Sequence, residues 1–397
     1  MQENATRASA SRAIPFDAAK LDRLMDAAGL DVLVATSKHN VQYLLGAERA
    51  IFFDYMDALG VSRYLPVLAY PKGAPDKAVY IGHRLETHQR AVAPPWVPQV
   101  RTESNGSVDA VMRAARALKD AGVPIKRIGV EMAFLPMDAG KALGDALPDA
   151  ELKDALLVLE RLRAVKSAHE LAKLKTASEL VIASMLEVIA GQGPGTTKQQ
   201  LSDALRVAEA NRGLTFEYCL LACGSSHNRA PSAQRWEQGD VLSLDSGGNY
   251  HGYIGDLARM AVLGEPDTEL KDCLAEIEAV QRAAFAAVRP GAMGGDIYVA
   301  AERQLAHITQ RDCTEFLAHG MGLVSHEAPR LTASGPVPDD TDARLPLEPG
   351  MVVSIETTMK HPKRGFIKLE DTVAVTAGGY EIFGEDGRGW NLGGSAR

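Results

Sequence analysis

Four carboxylates in two strand–turn–strand segments are the residues best spaced to do chemistry. The first segment, VLSLDSGGNYHGYIGDLARMAVL (241–263), reads as strand, glycine-rich turn, strand, and carries Asp245 and Asp256. A hairpin turning between Tyr250 and His251 sets these aspartates directly opposite one another on one face, with Cβ atoms roughly 5 Å apart. The second segment, MVVSIETTMKHPKRGFIKLEDTVAV (351–375), turns on Lys363 and sets Glu356 opposite Glu370. Like charges placed face to face are destabilising unless something neutralises them. Each also interrupts an apolar run (VLSLD, MVVSIE, FIKLE), where an uncompensated charge is costly. Exposure on solvated strands would account for one such pair more easily than for both. A carboxyl dyad sharing a proton for acid–base work needs two groups and leaves the second pair over. Four carboxylates kept ionised point instead to divalent cations.

Imidazole is the usual nitrogen ligand beside such a set. His319 and His326 lie in the glycine-punctuated stretch TEFLAHGMGLVSHEAP (314–329), between the two hairpins. Two carboxylate pairs plus one histidine make a dinuclear set. His227, in CGSSHNRAP, precedes Asp245 by 18 residues. The remaining histidines, including His251 and His361 in the two turns, read as surface residues. Arg259, three residues after Asp256, is a candidate to steady the ligand cluster.

The elements that must hold these groups follow from periodicity and caps. Asp17 to Ala28 reads as an amphipathic helix closed by Gly29. DVLVAT (31–36), LPVLAYP (65–71), KAVYIG (77–82) and RIGVE (127–131) read as strands, with a helix from Asn105 to Gly122. This mixture suggests an α/β or α+β domain of about 150 residues. A boundary falls near 150–166, dividing the chain into domains 1–158 and 159–397. Beyond it, Ser167 with Glu170 and Thr197 with Gln200 form capping boxes that open two helices. The GQGPG loop between them lacks the lysine pattern of a phosphate-binding loop and reads as a helix connection.

Composition bounds the function. The 397 residues are 46% hydrophobic and 24% charged, a globular balance that excludes bulk disorder. A net charge of −8 argues against a nucleic-acid partner. No apolar run approaches the ~20 residues of a membrane span. The opening MQENATRASASRAIPF carries no apolar core of a secretory signal. Four cysteines in so long a chain, with Cys219 and Cys223 read as small buried residues, suit a reducing, cytoplasmic setting.

The order of these segments, GDVLSLDSGGNYHGYIGDLAR, AHGMGLVSHEAP, LEPGMVVSIE and GFIKLEDTVAVTAGGYE, resembles the C-terminal domain of the M24 family. That family comprises the pita-bread metallopeptidases and their relatives: methionine aminopeptidase, aminopeptidase P, prolidase and creatinase. The resemblance covers roughly residues 160–390. The preceding domain is similar to the N-terminal domain of the prolidase, aminopeptidase P and creatinase branch, through segments such as DVLVATSKHNVQYLLG. The implied fold is α+β, a pita-bread catalytic domain preceded by a smaller α/β domain.

The resemblance implies five metal ligands, Asp245, Asp256, His319, Glu356 and Glu370, holding two divalent ions. Manganese is the first expectation, with zinc, cobalt or iron as alternatives. Asp256 and Glu370 would bridge the ions. Glu356 would move the proton of the attacking water, His326 would stabilise the tetrahedral intermediate, and His227 would bind the substrate carbonyl or carboxylate. The implied activity is hydrolysis of a C–N bond, in Xaa-Pro dipeptides or short peptides with proline second, by a cytoplasmic homodimer. AIFFDYMDALG (50–60) is the segment where a dimer contact is expected.

Three positions depart from the peptidase pattern. Ala318 stands where glycine is usual, Thr357 where proline is usual, and Lys368 where arginine is usual. Lysine keeps the charge but loses the bidentate fork; Lys368, like Arg259, is expected beside the ligands. Thr357 and Lys368 raise the alternative of a creatinase- or ectoine-hydrolase-like enzyme acting on a small amide or amidine. A non-catalytic binding protein on the same scaffold is opposed by the intact ligand set. A C–S lyase is opposed by Ser-Gly-Gly at 246–248, where a further ligand is expected.

Overall fold

Helix ends follow their capping residues. Asp17 accepts the backbone N–H of Lys20, and Gly29 closes the same helix, Ala18–Ala28, in the left-handed conformation with φ of 65°. Both expected capping boxes form: Ser167 and Glu170 open Ala168–Gly191, and Thr197 and Gln200 open Lys198–Asn211.

The computed structural model describes residues 13–46, 54–333 and 339–395. The chain divides into two compact units, Met1–Leu162 and Arg163–Arg397. The first unit holds strands β1 (Val32–Ala35), β2 (Val67–Pro71), β3 (Val79–His83), β4 (Gln99–Ser104), β5 (Arg127–Val130) and β6 (Glu151–Asp154) in one sheet. Their order is β4-β3-β2-β1-β5-β6, with parallel and antiparallel neighbours mixed. Side chains alternate between two cores. Leu33, Leu68 and Tyr70 join one, and Val32, Val34 and Val67 join the other, so the central strands are apolar throughout. Of the segment 50–60, residues 50–53 lie outside the described residues.

The second unit is built on β7 (Thr196–Thr197), β8 (Thr215–Cys223), β9 (Arg235–Trp236), β10 (Val241–Tyr250), β11 (Tyr253–Val262), β12 (Thr314–Met321), β13 (Ser325–Glu327), β14 (Val352–His361), β15 (Gly365–Thr376), β16 (Gly379–Phe383) and β17 (Asn391–Leu392). β7 and β9 pair with each other. The others form a nine-stranded sheet, ordered β13-β12-β14-β15-β11-β10-β8, with β16 on β15 and β17 on β11. Long helices Ala168–Gly191 and Thr268–Ala287 bury apolar residues against it, Val181 in one core with Leu244 and Leu257, and Ile277 in another with Met359 and Ile367. The α+β expectation holds.

The two carboxylate hairpins differ in register. β14 and β15 pair as read, with Glu356 opposite Glu370. β10 and β11 do not pair as read: Asp245 lies opposite Ala258, and Asp256 lies opposite Gly247. The turn is His251-Gly252, with both residues at positive φ (52° and 98°), one residue further along than expected. The shift moves the pairing by two positions in total, so both aspartates keep the same face and become diagonal neighbours. His361 is also not the surface residue expected. It is buried at the end of β14, where its Nδ1 accepts the backbone N–H groups of Lys363 and Arg364.

Candidate metal centre

One face of the large sheet gathers the chemistry, because strand residues two apart share a face. Tyr218 on β8, Asp245 on β10, Asp256 on β11, Lys368 and Glu370 on β15, Glu356 on β14 and His319 on β12 all open into one cavity of about 1300 Å³. His227, Arg229, Ser325 and His326 also line it. Arg259 is on the opposite face. It is fully buried, donates to the main-chain oxygen of Glu370 (3.0 Å), and pairs with Asp371 (2.8 Å), fixing the β15 backbone beneath the ligands.

The two glutamates each divide their carboxylate between two centres. Glu370 Oε1 lies 3.6 Å from His319 Nε2, and its Oε2 lies 2.8 Å from Lys368 Nζ. Glu356 Oε1 lies 4.0 Å from His319 Nε2, while its Oε2 contacts Lys368 Nζ directly. Lys368 Nζ also donates to Asp245 Oδ2 at 2.6 Å. Asp245 Oδ2 takes a second cation, the Arg229 guanidinium.

On the histidine side, Asp256, His319 and Glu370 offer ligand atoms within 4.8 Å of one another. His319 Nδ1 faces the Gly320 carbonyl at 3.3 Å, which directs Nε2 into the cluster. That Nε2 is buried without a hydrogen-bond partner, since 3.6 Å to Glu370 is too long for one. A buried imidazole nitrogen left open beside converging carboxylates is what a divalent ion would complete. Asp256 and Glu370 are oriented in turn: Ser325 Oγ donates to Asp256 Oδ2 (2.7 Å), and Ser354 Oγ to Glu370 Oε1 (2.8 Å). The residues present therefore fit one ion here.

Proton affinities follow the same division. Burial pushes Asp256 up to about 8, reinforced by Glu370 and Asp245. Burial likewise raises Asp245 and Glu356, against the pull of Lys368. In Glu370 burial is outweighed by Lys368 and His319, which hold it well below the usual carboxylate range. Lys368 is held charged because Asp245, Glu356 and Glu370 outweigh its burial. His326 stacks on His319 (ring centroids 3.7 Å apart), and burial together with that neighbour lowers it to about 4, so it is neutral at pH 7.

His326 is aimed by its neighbour. Glu327 is buried and anchored by Arg163 (2.8 Å) and Lys166 (3.1 Å), fixing the short β13 that carries Ser325 and His326. Gly320 allows this close hairpin, since a Cβ there would meet the Glu327 carbonyl at 2.3 Å. His227 lines the cavity, its Nε2 3.2 Å from the His361 carbonyl.

Of the three departures, only Lys368 enters the site. Thr357 and Ala318 alternate away from Glu356 and His319, and both are buried on the other face. Three cavity residues escaped the sequence reading, Tyr218, whose phenol hydrogen-bonds Asp256, Arg229 and Ser325, as did Ser354, which donates to Glu370 from behind. The one available signal was strand alternation, which puts Ser354 on the face of Glu356 and Tyr218 on that of Leu220.

Comparison with known proteins agrees with this geometry. The family profile "Metallopeptidase family M24" matches residues 172–377, and "Creatinase/Prolidase N-terminal domain" matches residues 18–165. The probable dipeptidase PepE of Mycobacterium tuberculosis is 28% identical over 372 residues, 89% of each chain. The Xaa-Pro dipeptidase of Pyrococcus horikoshii is 25% identical over 370 residues, covering 91% of this chain and 94% of the relative. The crystal structure of dipeptidase PepE from Mycobacterium ulcerans superposes with a TM-score of 0.77 at 26% identity, over 94% of this chain and 96% of that one. With the family profile spanning the whole catalytic face and the second profile the preceding unit, the chain belongs to metallopeptidase family M24, in its prolidase and aminopeptidase P branch.

Proposed function

We propose that the protein is a divalent-metal-dependent Xaa-Pro dipeptidase. The observation that carries this is the open Nε2 of buried His319, set against Asp256 and Glu370 at the floor of the cavity. Relatives named dipeptidase and Xaa-Pro dipeptidase along nearly the full chain support the substrate class. When bound, the ion supplies Lewis-acid polarisation and lowers the pKa of a water toward 7. Asp256, His319 and Glu370 would hold it.

The remaining work falls to the protein. Glu356, raised by burial, accepts a proton from the attacking water at a carboxylate oxygen and returns it to the leaving nitrogen. Neutral His326 donates its N–H to the oxygen of the tetrahedral intermediate. His227, at the cavity wall, binds the substrate carboxylate or carbonyl. We further propose manganese as the working ion, since the set is mostly carboxylate with one imidazole. A cytoplasmic setting suits four free cysteines, and a homodimer follows the resemblance.

The test is hydrolysis of Ala-Pro, Leu-Pro and Met-Pro, with Ala-Ala as control, by manganese-reconstituted protein. Turnover of Xaa-Pro substrates that chelator abolishes is expected. No turnover of any of them by metal-loaded protein would defeat the assignment. The small amide or amidine alternative rests on Thr357 and Lys368, and Thr357 faces away from the cavity.

A further inference from the structure

The second cation position of the site already has an occupant. Lys368 Nζ lies 2.6 Å from Asp245 Oδ2 and 2.8 Å from Glu370 Oε2, and it contacts Glu356 Oε2. An ammonium has three N–H donors, and here three carboxylates surround it. The side chain is only 5% exposed, so the charge is not on its way to solvent. Arg229 adds a second fixed cation on Asp245, and its guanidinium lies over the Phe366 ring at 4.9 Å.

We infer that the Lys368 ammonium permanently replaces one of the two expected ions, so that each chain binds a single divalent ion, at Asp256, His319 and Glu370. This rests on the metallopeptidase reading of the site and sharpens it. Charge supports it. With all four ionised, as ligation of Asp256 requires, Asp245, Asp256, Glu356 and Glu370 bring four negative charges into the cavity floor, and Lys368 with Arg229 cancels two. One divalent ion cancels the rest; a second would leave an uncompensated excess of positive charge in a buried site. Chemistry supports it as well. Lysine carries a compact point charge that fits inside a ring of oxygens, whereas the planar arginine usual in peptidases would overfill it and stand outside. Asp245, though it matches a metal ligand by order in the sequence, is then a counter-ion to Lys368 and Arg229.

The experiment is metal content per chain by elemental analysis, after saturation with MnCl2 and removal of free ion, with electron paramagnetic resonance on the same samples. Wild type should hold one ion per chain with the spectrum of an isolated manganese. Lys368→Met and Lys368→Arg should each hold two, with a spin-coupled spectrum, since neither side chain puts a compact charge inside the ring of oxygens, and Asp245→Asn should stay at one. His319→Ala should lose the ion. Two ions per wild-type chain, or a folded Lys368→Met protein that still holds one, would overturn the inference. If Lys368→Met fails to fold by circular dichroism, the wild-type and Asp245→Asn counts decide alone. No ion in saturated wild type would instead defeat the metallopeptidase reading itself.

Discussion

Two cation positions flank Glu370, and they are built in opposite ways. On the Oε1 side, Asp256 and His319 converge with hydroxyls behind them and a buried nitrogen left open. On the Oε2 side, Asp245 and Glu356 both contact Lys368, which fills the space, and Arg229 backs it. Both are anionic pockets on one face of the same sheet, and they share β15. The difference shows that a ligand-type residue in the right order becomes a ligand only if no cation of the same chain reaches it first. One position demands an external ion, and the other is satisfied when the chain folds.

The comparison breaks most visibly on the open side. Asp256→Asn or His319→Ala should lower kcat/KM by about a thousand-fold or more, since Lewis-acid stabilisation of several kcal/mol is lost. Metal content, measured in parallel, should fall with it. A variant that keeps both its ion and its activity would show that the two sides are not distinct. Glu356→Gln, which touches both positions, should cost roughly 10²–10⁴ in kcat with the ion retained, measured by steady-state kinetics beside elemental analysis.

A third change tests the support rather than the ligands. Glu327→Gln leaves Arg163 and Lys166 buried without their anion and should destabilise the protein by about 3–5 kcal/mol in urea denaturation. Burial would raise the Glu327 carboxyl, but the two cations hold it below its ordinary value. Its folded pKa is therefore depressed, so its contribution is complete above about pH 5 and is lost as pH falls through the folded value. A wild-type stability flat from pH 6 to 3 would contradict that. Smaller still, Ser325→Ala removes the hydroxyl that orients Asp256 and should weaken metal affinity about tenfold, read by competition with a chelator.

The smallest effect belongs to the departure that faces away. Thr357 Oγ1 is buried without a hydrogen-bond partner on the face opposite Glu356. Thr357→Val should leave substrate selectivity unchanged and should raise stability by up to about 1 kcal/mol. A changed preference between Xaa-Pro and Ala-Ala would mean that this face also reads the substrate.

Local signals made much of this legible. Capping boxes located helix starts at Ser167 and Thr197, Gly29 located the end of the first helix, and the HPKRG turn set the β14–β15 register correctly. The β10–β11 register slipped because its turn was centred on the Tyr250–His251 bond. Asn249 and Gly252 carried the better signal, for Asn249 Oδ1 accepts the Gly252 N–H and fixes a two-residue turn. The face survived the slip because side-chain alternation has a period of two. Arg229 and Lys368 were not legible as partners of Asp245. They reach it across 16 and 123 residues of chain, and only the order of strands in the sheet brings them there.

On this reading the protein is an M24 hydrolase driven by one ion at Asp256, His319 and Glu370, with Lys368 in place of the other. The most direct measurement is Ala-Pro hydrolysis by chelator-stripped protein as manganese is added in fractions of an equivalent per chain. Activity should rise from zero and saturate at one equivalent. Activity that begins only beyond one equivalent and saturates at two, or that never returns, would contradict it.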